Sequence, residues 1–325
     1  MHDLNNKTFW NDKRFHSLDY ELKKTFGKKL YKLSLNAGLS CPNRDGTIDT
    51  RGCIFCSEGG SGDFSATPGL SVSDQIEEAK ALVAKKLSSH SDIQYIAYFQ
   101  AYTNTHGPVS YFEKIFSEAV NHPDIAVLSI ATRPDCLGDN VIALLDKLNK
   151  IKPVWVELGL QTIHEDTARW MRRGYALPVF EEAVRQLNKR GIDVIVHTIL
   201  GLPKESKNDM LKTMEYLSNL AEKNLVRGIK LQLLHILKGT DLGRLYQEGK
   251  LTYSITMDEY IDLVITCLEH LSPNLVIHRL TGDGPKKILL APLWSANKKL
   301  VLNTINSRMK EKDSWQGKYY KTGGV

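Results

Sequence analysis

The stretch SCPNRDGTIDTRGCIFCSEGGSG, residues 40–62, follows directly on a strand-like run, KLYKLSLNAG (29–38). Its three cysteines, Cys41, Cys53 and Cys56, fall within sixteen residues, while Cys136 and Cys267 stand alone. A Cys-x-x-Cys pair brings two thiolates to one metal centre, and a third arrives from across the loop. Gly46, Gly52, Gly59, Gly60 and Gly62 let the backbone turn tightly around such a centre. Structural zinc wants four closed ligands. The loop holds three, so His16 or His106 would have to come in from outside. A thioredoxin-like redox pair would leave Cys41 unexplained. A three-thiolate [4Fe–4S] cluster leaves one iron open for a substrate or cofactor.

Outward from the loop, strand-like and helical runs alternate. VSDQIEEAKALVAKKL (72–87) reads as a helix with acids early and lysines late, as the macrodipole favours. Further helices are expected over 110–122, 139–150, 178–190, 207–223, 257–271 and near 295–311. Strands are expected over 93–100, 125–134, 154–161, 192–200, 226–237 and 275–280. Strand-then-helix alternation means βα units around a parallel sheet. Six units and a seventh strand fall short of a closed eight-stranded barrel, and no GxGxxG follows the first strand to support a dinucleotide fold. The expected fold is α/β, an incomplete (β/α)6-type TIM barrel. It divides into an N-terminal extension (1–28), the partial barrel (29–283) and a basic C-terminal helical extension (284–325). In 154–161, a period of two puts Val154, Val156, Leu158 and Leu160 on one face and Trp155, Glu157, Gly159 and Gln161 on the other. The second set carries a carboxylate and an amide into the barrel, either to meet a ligand or to pair internally.

The chain has 325 residues, 42% of them apolar and 25% charged, which excludes disorder, collagen-like repeats and a disulfide-stapled miniprotein. No apolar run approaches the roughly 18 residues of a membrane span, and the N-terminal stretch lacks the apolar centre of a signal peptide. A cytoplasmic location with reduced thiols and no membrane partner is expected. From Pro285 onward nine Lys/Arg face only Glu311 and Asp313, a net +7 against +6 for the whole chain. Such a concentration suits an anionic partner, RNA before membrane, although solvated lysines also serve solubility. The candidate RNA contacts are Lys286, Lys287, Lys298, Lys299, Arg308, Lys310 and Lys318. Trp315, Tyr319 and Tyr320 are read instead as packing across the barrel's open edge. Cys267 belongs to an apolar helix, and His197 and His235 read as core imidazoles without an assigned role.

The cysteine loop after the first strand resembles that of radical S-adenosylmethionine (SAM) enzymes. Thr132-Arg-Pro-Asp135, Glu157-Leu-Gly-Leu-Gln-Thr162, Gly201-Leu-Pro203 and Lys238-Gly-Thr240 follow in order at strand ends. Together they are similar to the branch of the Elongator catalytic subunit and the oxygen-independent coproporphyrinogen oxidases. GLSCPNRDGT and RGCIFCSEGGSGDF look more narrowly like the YhcC/YtqA-like group. The resemblance implies that Cys41, Cys53 and Cys56 ligate a [4Fe–4S] cluster whose fourth iron takes SAM. One electron would then cleave SAM to a 5′-deoxyadenosyl radical that abstracts hydrogen from a C–H bond. Thr103, Asn104, Arg133, Asp135, Glu157, Gln161 and Gly201 are the candidate SAM contacts. Cys136 and Tyr102, with Tyr98 nearby, are the candidates for quenching a substrate radical. The implied substrate is tRNA, at the C5 substituent of wobble uridine (carboxymethylaminomethyl to aminomethyl), with a flavodoxin or ferredoxin as electron donor. A small metabolite or porphyrin-like substrate is the rival enzymatic reading, and a zinc-containing RNA-binding protein the non-enzymatic one.

Overall fold

The computed structural model describes residues 7–60, 62–84 and 93–321. The strands are β1 (Leu30–Leu35), β2 (Gln94–Phe99), β3 (Ile125–Thr132), β4 (Val154–Gln161), β5 (Asp193–Leu200), β6 (Gly228–Leu233), β7 (Ile236–Leu237), β8 (Val276–Arg279) and β9 (Leu289–Ala291). The helices are α1 (Leu18–Phe26), α2 (Val72–Ala84), α3 (Val109–Asn121), α4 (Asp139–Asn149), α5 (Glu165–Trp170), α6 (Leu177–Asn188), α7 (Lys207–Glu222), α8 (Asp241–Gln247), α9 (Met257–His270) and α10 (Lys298–Glu311). Seven strands form one sheet in the order β1-β2-β3-β4-β5-β6-β8, parallel throughout. The sheet curls, because side chains from β1 and β6 reach the same carboxylate on β4. It does not close: β1 and β8 remain its two edges. This is the incomplete α/β barrel expected from the alternation.

The two faces of each strand separate as a period of two requires. Val154, Val156, Leu158 and Leu160 join the large apolar core under the helices. The inner face is layered. At the bottom, Leu30, Ile96, Val127, Trp155 and Ile195 pack with Leu22 of α1. Above them lie Lys32, Tyr98, Ser129, Glu157, His197 and Lys230, and above those a cavity opens at the strands' C-terminal ends.

Helix α1, not among the expected elements, therefore plugs the bottom of the half-barrel. Ser17 caps its N-terminus, accepting from the Tyr20 amide, and Gly27 ends it in the left-handed conformation. The neighbouring chain seals the β8 edge: the Ile277 amide donates to the His16 carbonyl at 2.7 Å. Gln316 ties the C-terminal segment to the same place, its amide group donating to the Ser272 and Leu275 carbonyls and accepting from the His16 amide. Trp315 is buried there, while Tyr319 is half exposed.

The expected strand over 226–237 is two. After Leu233 the chain leaves the sheet, and β7 pairs antiparallel with β9. The imidazole of His235 turns in against Gly282, where an added Cβ would lie 2.5 Å from the ring. Helix α2 is described to Ala84, and the last residues of the expected 72–87 lie outside the described residues.

Leu22 is 3% exposed in the bottom plug. Leu22→Ala is expected to lower the unfolding free energy by about 2–4 kcal/mol, measured by denaturant titration, because the surrounding strands cannot collapse into the void.

Candidate active site

The loop after β1 is a series of backbone turns. The amides of Arg44 and Asp45 donate to the Cys41 carbonyl, that of Cys56 to Cys53, and that of Gly52 to Asn43. The segment after β4 clamps the loop in place. Ile54 donates to the Met171 carbonyl at 3.1 Å, and the Asn43 side chain donates to the Arg172 carbonyl at 2.7 Å and to the Cys53 sulfur at 3.4 Å. Gly60 sits at φ +56° against the ring of Tyr102, 2.3 Å from where a Cβ would be, so only glycine fits. The Tyr102 hydroxyl donates to the Glu58 carbonyl.

Cys41, Cys53 and Cys56 all line one cavity of about 250 Å³. Thiolates on one tetrahedral zinc, each at about 2.3 Å, lie about 3.8 Å apart. The three sulfurs are not all within 4.8 Å of one another, and among the described residues no histidine or carboxylate joins them in such a set. Neither outside candidate for a fourth zinc ligand reaches the site. His16 is held by Glu21 at 2.8 Å and Pro273, and His106 lies 2.6 Å from Asp45. Three separated sulfurs around one space suit a polynuclear cluster rather than a single ion. Burial pushes the Cys53 thiol up to about 12 and raises Cys56 despite the Arg44 cation beside it. A bound metal reverses that balance by holding both as thiolates.

The cavity floor is ionic. Glu157, 1% exposed, accepts from Lys32 at 2.6 Å and Ser129 at 2.8 Å through Oε1, and from Lys230 through Oε2. His197 Nε2 lies 2.7 Å from Oε2. Burial alone would raise the Glu157 pKa, but the Lys230 and Lys32 ammonium groups and the His197 hydrogen bond outweigh it and hold the carboxyl well below its usual range. His197 moves down to about 4, chiefly by burial and then by the Lys230 charge.

With this geometry, residues 50–217 match the Radical SAM superfamily and residues 226–311 the Radical_SAM C-terminal domain. The chain belongs to the radical SAM superfamily. It is 43% identical over 309 residues to the uncharacterized protein YtqA of Bacillus subtilis, covering 95% of this chain and 94% of that protein. Protein YhcC of Escherichia coli is 35% identical over 279 residues, 86% of each chain. Among solved structures, the archaeal Methanocaldococcus infernus Elp3 shares the fold with a TM-score of 0.65 at 15% identity, covering 88% of this chain and 64% of that one. A [4Fe–4S] cluster and SAM are accordingly this radical SAM protein's cofactors. Three cysteines fit the cluster. Gln161 lines the cavity at φ +67°, and its Oε1 is buried without a partner among the described residues.

The other candidates divide by place. Thr103, Arg133, Glu157 and Tyr102 line the cavity together with Gln161. Arg133 is locked in a bidentate pair with Asp135 at 2.9 and 2.7 Å, stacks on Tyr175, and donates to the Arg173 carbonyl. Asn104 joins β2 to β3, donating to the Phe99 and Ala131 carbonyls. Gly201 packs against Tyr253, and Cys136 lies beside Asp135; neither is in the cavity wall. Lys32, Lys230 and Arg279 were not among the candidates, although a lysine amid the apolar residues of Gly228–Leu233 is itself a signal.

Alanine at Cys41, Cys53 or Cys56 is expected to abolish bound iron and visible absorbance in anaerobically prepared protein, whereas Cys136→Ala leaves both unchanged. A second expectation concerns pH. The unfolded chain protonates His197 near 6.5 while the folded one waits until about 4, so stability falls as pH drops through that window. Unfolding measured from pH 7 to pH 4 should lose about 2–3 kcal/mol more in the parent protein than in His197→Gln.

Proposed function

We propose that this radical SAM enzyme modifies the C5 substituent of wobble uridine in tRNA, converting carboxymethylaminomethyl to aminomethyl. When bound, the cluster and SAM supply hydrogen-atom abstraction from an unactivated C–H bond, here the carboxymethyl carbon. The chain's own residues position that event. The clamp of Arg133, Arg173 and Tyr175 orders one wall of the mouth, and the layered strands exclude water from below.

The observation that carries the RNA reading lies at the rim. Pro285 lines the cavity, and the next two residues, Lys286 and Lys287, are exposed and form no ion pair with a described residue. Phosphates bound there would set a nucleotide over the opening. Lys299 and Lys310 are likewise unpaired. Lys298 is held by Asp283 at 2.7 Å, Arg308 by Asp258 and Asp262, and Lys318 rests on Trp315. RNA contact is thus assigned first to Lys286 and Lys287. The resemblance of the strand-end motifs to the Elongator branch supports the same substrate. No helix among the described residues is long and apolar enough to cross a membrane, in keeping with a cytoplasmic tRNA enzyme that draws its electron from a flavodoxin or ferredoxin.

Nucleoside analysis of tRNA from a strain lacking the protein tests this reading. Carboxymethylaminomethyl-uridine should accumulate at the expense of aminomethyl-uridine; an unchanged profile overturns the proposal. The double variant Lys286→Gln, Lys287→Gln should bind tRNA more weakly, with a log–log salt slope smaller by about 2.

A further inference from the structure

The floor of the cavity holds more positive than negative charge. Glu157 is already saturated by Lys32, Lys230, Ser129 and His197. Arg279, opposite Lys230 in the β6–β8 register, also lines the cavity, and its guanidinium makes no hydrogen bond or ion pair with a described residue. Three cations thus gather around one buried carboxylate, Lys230 buried and lining the cavity, Arg279 half-buried in its wall and Lys32 half-buried beside it. The other acids of the cavity wall are engaged elsewhere: Asp283 pairs with Lys298 at 2.7 Å, and Asp63 accepts from Ser57. Uncompensated charge in a low-dielectric pocket is unfavourable unless an anion completes it. The strain shows in Lys230, where burial and the nearby Lys32 and Arg279 cations push the pKa well below the ordinary lysine value.

A second observation points the same way. His235 lines the cavity beside Gly282 and Gly284, and its Nε2 is buried without a partner. Buried polar atoms are rarely left unpaired without a reason. His235 and Arg279 line the same cavity, and the ring feels both the Asp283 and the Arg279 charge.

We infer that Arg279 and His235, backed by Lys230, form a subsite for a carboxylate carried by the substrate, below the mouth where the cysteines gather. Arg279 supplies a forked pair of donors and His235 a single one, a pattern that suits a planar carboxylate. The inference deepens the proposed function, and in naming the carboxymethyl group as the occupant it rests on that reading. The subsite itself stands on the geometry alone.

The test uses the anaerobic holoenzyme with SAM and two small probes, N-acetylglycine and its uncharged twin N-acetylglycinamide, with binding followed by ligand-observed NMR. The anion should bind at least about tenfold more tightly than the amide, the worth of one charge-assisted contact. Arg279→Gln should erase the preference, Arg279→Lys should keep part of it, and Lys223→Gln, an exposed lysine outside the cavity wall, should leave it whole. The Arg279 guanidinium has no described partner to strand, so Arg279→Gln should retain its iron and far-ultraviolet spectrum. Equal binding of the two probes by the parent protein, or a preference that survives Arg279→Gln, overturns the subsite. An unchanged tRNA nucleoside profile alongside an intact anion preference would remove the wobble-uridine reading and leave the carboxylate site standing.

Discussion

One buried carboxylate holds the interior of an unclosed sheet together. Backbone ladders run from β1 to β8 and stop, so no hydrogen bond of the main chain crosses the gap. Glu157 ties the inner face together with side chains instead. Its partners come from β1, β3, β5 and β6, and Tyr98 of β2 accepts from Lys230 at 3.1 Å. Six strands are thereby gathered onto a single anion. Taking a carboxylate out of water costs several kcal/mol, which only a full set of donors offsets. The apolar bottom layer around Trp155 supports the ionic layer, and the ionic layer supports the cavity.

Strand β4 connects that layer to the cysteine loop at the cavity mouth. Leaving Gln161, the chain passes through α5 into the Met171–Tyr175 segment, which touches the cysteine loop at Ile54, Asn43 and Gly52. Arg173, 2% exposed, fastens this segment back to the Leu160 and Thr162 carbonyls at 3.0 and 2.7 Å. The loop therefore takes its position from the strand that carries the floor. Reactions that depend on near contact between two bound groups need this kind of fixed separation.

Much of this was legible in the residues alone. The βα alternation pointed to the half-barrel, the three spaced cysteines line one cavity at its mouth, and the alternation in 154–161 put Glu157 and Gln161 on the inner face. What escaped was of three kinds. Helix α1 is only nine residues long and buries a single side chain, Leu22, so its Ser17 and Gly27 caps had no long apolar pattern to frame them. The break between Leu233 and Ile236 depends on glycines nearly fifty residues downstream, which local propensity cannot sense. Lys32, Lys230 and Arg279 stayed hidden because lysine and arginine are read as surface residues until a shared partner is known. The same blindness made Lys298 and Arg308 look available when local aspartates already hold them.

The seal at the β8 edge brings Arg14–His16 and Ser314–Gln316 side by side at the closed end of the half-barrel, where the Gln316 amide donates to the Arg14 carbonyl at 2.8 Å. These two segments therefore lie together on the side facing away from the opening. A fluorophore or a surface tether attached to either segment would leave the approach free for a bulky macromolecule.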